Sequence, residues 1–130
     1  MSERKIYMRA LTAPMEELGE IEEIKNQLKK GKFCASLTGC VESQKLHMIY
    51  GLGDGFKNKL IVTFSDQRVK ELMEDYRFYD RNVKAYPAKD LIFYQADIHG
   101  NQLVTERIKC LKRMLEGKPV TVITTLSALM

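Results

Sequence analysis

Short apolar runs of strand length alternate along the chain with longer segments whose apolar residues recur at helical spacing. The clearest run covers residues 60–64, with the sequence LIVTF, and continuous apolar runs are typical of parallel strands that are buried on both faces. Ser65 or Asp66 then caps a helix with a helical apolar stripe. Strands that alternate with helices require crossover connections, so the pattern predicts an α/β fold with a parallel sheet and helices on both faces.

The same spacing predicts four strands and four helices. The strands are expected at 33–37, 60–64, 82–86 and 120–124, and the helices at 14–30, 44–52, 66–79 and 102–116. Pro14 lies at the expected first turn of the first helix, and Gly31 ends it. One face of the last helix carries four apolar residues: Val104, Ile108, Leu111 and Leu115.

Length and composition limit the class of protein. A chain of 130 residues with 45% hydrophobic and 29% charged residues suits one globular domain and excludes a disordered chain. No apolar run approaches the roughly 20 residues of a membrane span, and no leader-like segment follows the N-terminus. We therefore expect a cytoplasmic protein that does not enter a membrane, with an N-terminal extension at 1–13 and one Rossmann-like or P-loop-type domain at 14–130.

Cysteines and histidines give no metal pattern. The cysteines form no C-x-x-C pair, and in a reducing compartment we expect three buried thiols at Cys34, Cys40 and Cys110. His47 and His99 have no partner at metal-ligand spacing, and Asp97 beside His99 is not enough for a site. The sequence predicts neither a metal site nor a catalytic residue.

The segment with the most chemical content is 37–46, which follows a predicted strand and opens a predicted helix. A phosphate-binding loop of the form G-x-x-x-x-G-K-[ST] belongs at this place. Gly39 and Lys45 keep their positions, but Gln44 replaces the second glycine and Leu46 replaces the hydroxyl that holds Mg²⁺. Glu42 adds a negative charge close to where phosphates would lie. The sequence predicts a degenerate nucleotide site that does not bind Mg-ATP productively.

Five segments in order resemble one known family. They are 37–39 with Lys45, 60–63, Tyr86-Pro87-Ala88-x-Asp90, Glu106-Arg107-x-x-x-Leu111, and 122–129. Together they are similar to the N-terminal UvrB-like module of the bacterial transcription-repair coupling factor, over the chain from Pro14 to Met130. That module resembles the helicase UvrB with its ATP site lost, so the degenerate loop is part of the resemblance.

The resemblance implies a role in transcription-coupled DNA repair. The full protein would be an ATP-driven translocase on double-stranded DNA that displaces stalled RNA polymerase and recruits UvrA. This chain would be its non-catalytic subdomain 1A, a scaffold that packs against other domains of the same protein. Contacts with UvrA, RNA polymerase and DNA, and the motor that uses ATP and Mg²⁺, would lie beyond Met130. Since 126–130 resembles an uncapped helical turn, we expect a chain cut from a longer protein.

The sequence departs from UvrB in one respect. UvrB carries a tyrosine-rich hairpin that probes damaged DNA, whereas the corresponding interval here is short and has only Phe93 and Tyr94 as aromatic residues. We expect these two side chains to cover the edge of the core, so damage probing by this segment is not predicted.

Two other classes of function remain open. A flavodoxin-like nucleotide-binding or phosphoacceptor domain would share the alternation, with Asp66 and Thr124-Thr125 after strands, although it would lack the acidic pair that holds Mg²⁺. A nucleic-acid-binding module could use a set of basic residues that otherwise form a solvated face: Lys57, Lys59, Arg68 and Lys70.

Overall fold

The computed structural model describes residues 3–31, 33–88 and 98–130. The chain divides into two compact units, Met1–Asp54 and Gly55–Met130. The first is helical among its described residues, and the second contains a parallel sheet with helices. The α/β class with a parallel sheet is therefore confirmed, in the form of a three-stranded sheet.

The first unit contains the helices α1 (Glu3–Glu16), α2 (Gly19–Lys30) and α3 (Glu42–Leu52). The prediction of one helix over 14–30 was wrong, because Pro14 lies in the last turn of α1 and the chain turns before α2 begins. Met15 and Ile21 nevertheless lie in one buried cluster with Met48. Their helical spacing reflects a shared core and not a shared helix.

The strand predicted at 33–37 does not form. Residues 33–38 have no regular structure, and Phe33 and Leu37 are 39% and 47% exposed. A short apolar run becomes a strand only when another strand accepts its backbone hydrogen bonds. None of the described strands pairs with this segment.

The second unit follows the predicted alternation closely. Its elements are β1 (Asn58–Thr63), α4 (Asp66–Tyr76), β2 (Val83–Tyr86), α5 (Ile98–Leu115), β3 (Val120–Thr125) and the short α6 (Leu126–Leu129). The sheet order is β1-β3-β2, with both pairings parallel. The last strand in sequence is therefore the central one.

Packing on β3 holds this unit together. All six residues of β3 are buried, as expected for a central parallel strand. From α5, Cys110 packs against Val120 and Val122, which share one face of the strand. The helix α4, capped by a hydrogen bond from the Arg68 backbone N–H to Ser65 Oγ (3.2 Å), also lies against β3.

Asp80 connects the starts of all three strands. Its Oδ1 accepts a hydrogen bond from the Asn82 backbone N–H just before β2 (2.9 Å), and its Oδ2 accepts one from Thr121 Oγ1 at the start of β3 (3.2 Å). Lys59 Nζ of β1 lies 4.0 Å from Oδ2. Because Thr121 is fully buried, its hydroxyl depends on this carboxylate for a partner.

We predict that Asp80→Ala lowers the free energy of unfolding by about 2–3 kcal/mol, because a buried hydroxyl loses its acceptor and the turn before β2 loses a bond. Asp80→Asn keeps an acceptor oxygen and should cost about 1 kcal/mol. Urea unfolding followed by circular dichroism measures both. Asp75→Ala, on the exposed side of α4, is the control, and an equal loss in this control would contradict the role given to Asp80.

Candidate functional site

The degenerate phosphate loop leads into α3 without a strand before it. Gly39 has a φ of 77°, in the left-handed region that favours glycine. Val41 is the N-cap of α3, and no side chain makes a capping hydrogen bond there. The backbone N–H groups at a helix start can bind an anion. However, the strand that fixes such a loop in phosphate-binding folds is absent from this place.

Lys45, the lysine expected to reach phosphates, is paired with Glu42. Lys45 Nζ lies 2.6 Å from Glu42 Oε1, one helical turn earlier. Both side chains are more than half exposed, so the pair contributes little to stability. The Glu42 carboxylate nevertheless places its charge in the first turn of α3, where the helix dipole favours an anion. The first turn of α3 thus carries a negative charge, which would repel a phosphate at the helix start.

The two remaining residues of the loop motif lie apart from each other. Gln44 is exposed on α3, whereas Leu46 is 4% exposed and faces the interior. A hydroxyl at position 46 would therefore be buried and would not face a nucleotide. Among the described residues of this loop, one side-chain ion pair is found, and it joins Glu42 to Lys45. The loss of nucleotide binding stays a prediction.

The two threonines named for a phosphoacceptor site, Thr124 and Thr125, form hydrogen bonds with nearby backbone groups. Thr124 Oγ1 donates to the Tyr86 carbonyl (2.7 Å), and Thr125 Oγ1 accepts from the Ala128 backbone N–H at the start of α6 (3.3 Å). Both threonines are buried, and Asp66 is the first residue of α4. In the described part of the chain, no group of three or more His, Cys, Asp or Glu side chains could hold a metal ion.

Some sequence predictions concern residues outside the described ones. Phe93, Tyr94 and Asp97 belong to this group, as does the side chain of His99. His47 is described, and its Nε2 makes a hydrogen bond with the Leu11 carbonyl within the first unit.

An apolar groove of about 620 Å³ lies on the α5 side of the sheet. Leu60 of β1, Leu111 and Met114 of α5, and Leu129 and Met130 at the chain end are among the residues that line it. Leu60 is 58% exposed, Leu129 is 49% exposed and Met130 is 98% exposed. Several large apolar side chains are therefore exposed to solvent side by side in this groove.

The groove is bounded by a rigid aromatic–cation pair. The Arg107 guanidinium carbon lies 4.0 Å from the centroid of the Tyr86 ring, within the range of a cation–π interaction. Arg107 also donates hydrogen bonds to the Tyr86 hydroxyl and to the Pro87 carbonyl, both at 2.6 Å. These contacts fasten α5 to the end of β2.

The apolar stripe of α5 points away from the core. An apolar helix face usually packs inward, but the four residues of the stripe are 43–88% exposed: Val104, Ile108, Leu111 and Leu115. The helix buries Cys110 instead. In the described part of the chain, α5 contacts β2 and β3, and the side chains of β1 beside it are about half exposed, Leu60 at 58% and Val62 at 48%.

Basic residues that sequence analysis did not connect converge on another concave surface of the same unit. They are Lys84, Lys109, Lys112, Arg113 and Lys118, with Glu116 among them. The basic residues named from the sequence behave differently. Arg68 pairs with Glu71 (2.9 Å) and Lys59 with Asp80. The spacing of Lys109, Lys112 and Arg113 on one helix was the available signal.

Comparison with protein-family models, with curated proteins and with solved structures finds no match for this chain. The similarity to the coupling-factor module therefore stays a prediction that rests on the residues quoted above. Within the described residues, no helix has the length and apolar character needed to cross a membrane.

The three cysteines differ in their environment. Cys34 is exposed, Cys40 is half-buried and Cys110 is fully buried, so the expectation of three buried thiols was wrong for Cys34. Cys34 is exposed because it lies in the irregular segment where the predicted strand does not form. Burial raises the pKa of the Cys110 thiol, and the opposing effect of Lys84 is smaller. Cys110 is therefore a packing residue with little thiolate.

We predict that a maleimide modifies Cys34 at least about a hundredfold faster than Cys110 in the native chain, because only thiolates that the reagent can reach react. Mass spectrometry of peptides after timed labelling measures both rates. Cys34→Ser should remove the fast phase and leave Cys110 protected until urea unfolds the chain. Equal rates at Cys34 and Cys110 would contradict the packing of α5 on β3.

Proposed function

We propose that the chain is a non-catalytic scaffold segment whose exposed apolar face packs against other domains of the same protein. The observation that supports this proposal is the groove between β1, α5 and α6, where Leu60, Leu111 and Leu129 are 46–58% exposed. Clustered apolar side chains at a surface are typical of sites that contact another protein surface. Each half-exposed leucine gains on the order of 1 kcal/mol when it becomes buried.

The absence of catalysis is proposed from the degenerate loop. Glu42 pairs with the lysine that would contact phosphate, and Leu46 is buried where a metal-binding hydroxyl would be needed. A single exposed lysine is a weak anchor for a nucleotide, because salt screens its charge. The scaffold role therefore requires neither ATP nor Mg²⁺ in this segment.

The resemblance supplies the wider setting of the proposal. The parent protein would be a cytoplasmic coupling factor of transcription and nucleotide excision repair, and this segment would be part of a Rossmann-like or P-loop-type subdomain. The resemblance assigns UvrA, RNA polymerase and the double-stranded DNA on which the motor moves to other regions of that parent, so a nucleic-acid contact in this segment would be additional to them. The proposed contribution of the segment is to carry the UvrA-binding region and to pack against neighbouring domains.

The packing proposal can be tested on the chain itself. We expect the chain to self-associate with rising concentration in sedimentation velocity and to bind an apolar dye in its folded state, because large apolar side chains are exposed in the groove. The double variant Leu60→Lys/Leu129→Lys places two charges in the groove and should be monomeric with little dye binding.

The matched control is Val41→Lys/Phe78→Lys, which adds the same charge at two exposed apolar residues that do not line the groove. It should behave like the unmodified chain. A strictly monomeric chain without dye binding, or equal effects of the two double variants, would contradict the proposal.

A further inference from the structure

Five basic side chains from separate parts of the second unit converge on one concave surface, here called the basic cluster. Lys84 comes from β2, Lys109, Lys112 and Arg113 come from α5, and Lys118 comes from the turn before β3. Lys84 is placed there by the register of the sheet. In that register Lys84 lies directly beside Val122 of β3, and the side chain of Val122 packs against Cys110 of α5. Because neighbouring residues in register point to the same face, Lys84 lies on the α5 side of the sheet.

The charge of the basic cluster is only partly balanced. Glu116 lies 2.6 Å from Lys118 Nζ and 3.9 Å from Lys112 Nζ, and Glu106 lies 3.2 Å from Lys109 Nζ. The five cations and these two carboxylates together carry a net charge of +3, and the formal net charge of the whole chain is +4. Most of the net charge of the chain thus lies on one surface. The three lysine side chains are 60–73% exposed, so their ion pairs are weak and can be exchanged for another anion.

Arg113 gives the basic cluster a fixed centre. Its Nη2 donates a hydrogen bond to Asn82 Oδ1 (2.6 Å), and its Nε donates one to the Pro119 carbonyl (3.4 Å). These bonds join α5 to the segments that lead into β2 and β3. The lysines around Arg113 are thereby held on a packed helix, an adjoining strand and the short turn before β3, and not on a long loop.

We propose that the basic cluster binds the phosphate backbone of double-stranded nucleic acid. On α5, Lys112 and Arg113 follow Lys109 by three and four residues, which makes each of them a neighbour of Lys109 on the helix surface. With Lys84 and Lys118 from other elements, the cations are spread over the surface, which suits the several phosphates of a backbone better than one small anion. Among the described residues that line the basic cluster, none is aromatic, whereas proteins that bind single strands use aromatic rings for stacking. None of these described residues is a large apolar one either, which insertion into a lipid surface would need.

The test measures binding of a fluorescent 20-base-pair DNA duplex, and of an RNA duplex of the same sequence, by anisotropy over a series of salt concentrations. Both duplexes should bind, because the phosphate backbone alone is contacted. The logarithm of the binding constant should fall with the logarithm of salt concentration with a slope of about −3 to −4.5, as expected when up to five phosphates are neutralised.

The decisive comparison uses two triple variants that each remove three positive charges. Lys109→Ala/Lys112→Ala/Lys118→Ala should weaken binding at least about tenfold at low salt and reduce the slope by about 2.5–3. The control is made at lysines of α2 outside the basic cluster, Lys25→Ala/Lys29→Ala/Lys30→Ala, and should stay within about twofold of the unmodified chain. Arg113 is kept because it connects α5 to the sheet. Circular dichroism verifies that both variants are folded.

Three results would overturn the proposal. They are the absence of duplex binding at low salt, equal losses in the two triple variants, and retention on phosphatidylcholine–phosphatidylserine vesicles or on polyglutamate without retention of either duplex. The second result would show an effect of overall charge, and the third would assign the basic cluster to an anionic lipid surface or an acidic polypeptide.

Discussion

The parallel pairing of β3 with both of its neighbours is the interaction on which the second unit depends. Among the described strands, β1 and β2 do not pair with each other, and each pairs with β3 alone. The central strand is also the last in sequence, so the sheet forms only after the chain has closed two crossovers. Asp80 reinforces this closure, because its carboxylate contacts all three strand starts. The buried threonines of β3 are stable there because their hydroxyl groups form hydrogen bonds with neighbouring segments.

The position of α5 over β2 and β3 determines both surfaces to which we assign a role. Cys110 and Arg107 fasten the helix to that side, and Leu60 of β1, which is 58% exposed, lines the groove beside it. The same position brings the lysines of α5 beside Lys84 and next to Lys118. The packing of α5 over β2 and β3 therefore produces both an apolar surface suited to another protein domain and a basic surface suited to phosphates.

Much of the second unit could be predicted from the sequence, because its elements have strong local patterns. The strands at 60–64 and 82–86 and the helix at 102–116 are found within a few residues of their predicted bounds. The segment 33–37 could not be predicted, since a strand needs a partner that local pattern does not reveal. The start of the helix that carries Lys45 was predicted, but the basic cluster was not. Its members meet only after β2 is placed beside α5.

We propose that the sheet of the second unit is built around β3 and that the loop before α3, which no described strand precedes, does not bind a nucleotide. Hydrogen exchange followed by mass spectrometry, with and without Mg-ATP, tests it most directly. We expect the amides of 120–125 to exchange slowest and those of 33–41 to exchange fast, with no change in either on addition of Mg-ATP. Strand-like protection at 33–37 would overturn the proposal, as would slowing over 39–46 with Mg-ATP that Lys45→Ala abolishes, which would show that the loop is a working nucleotide site.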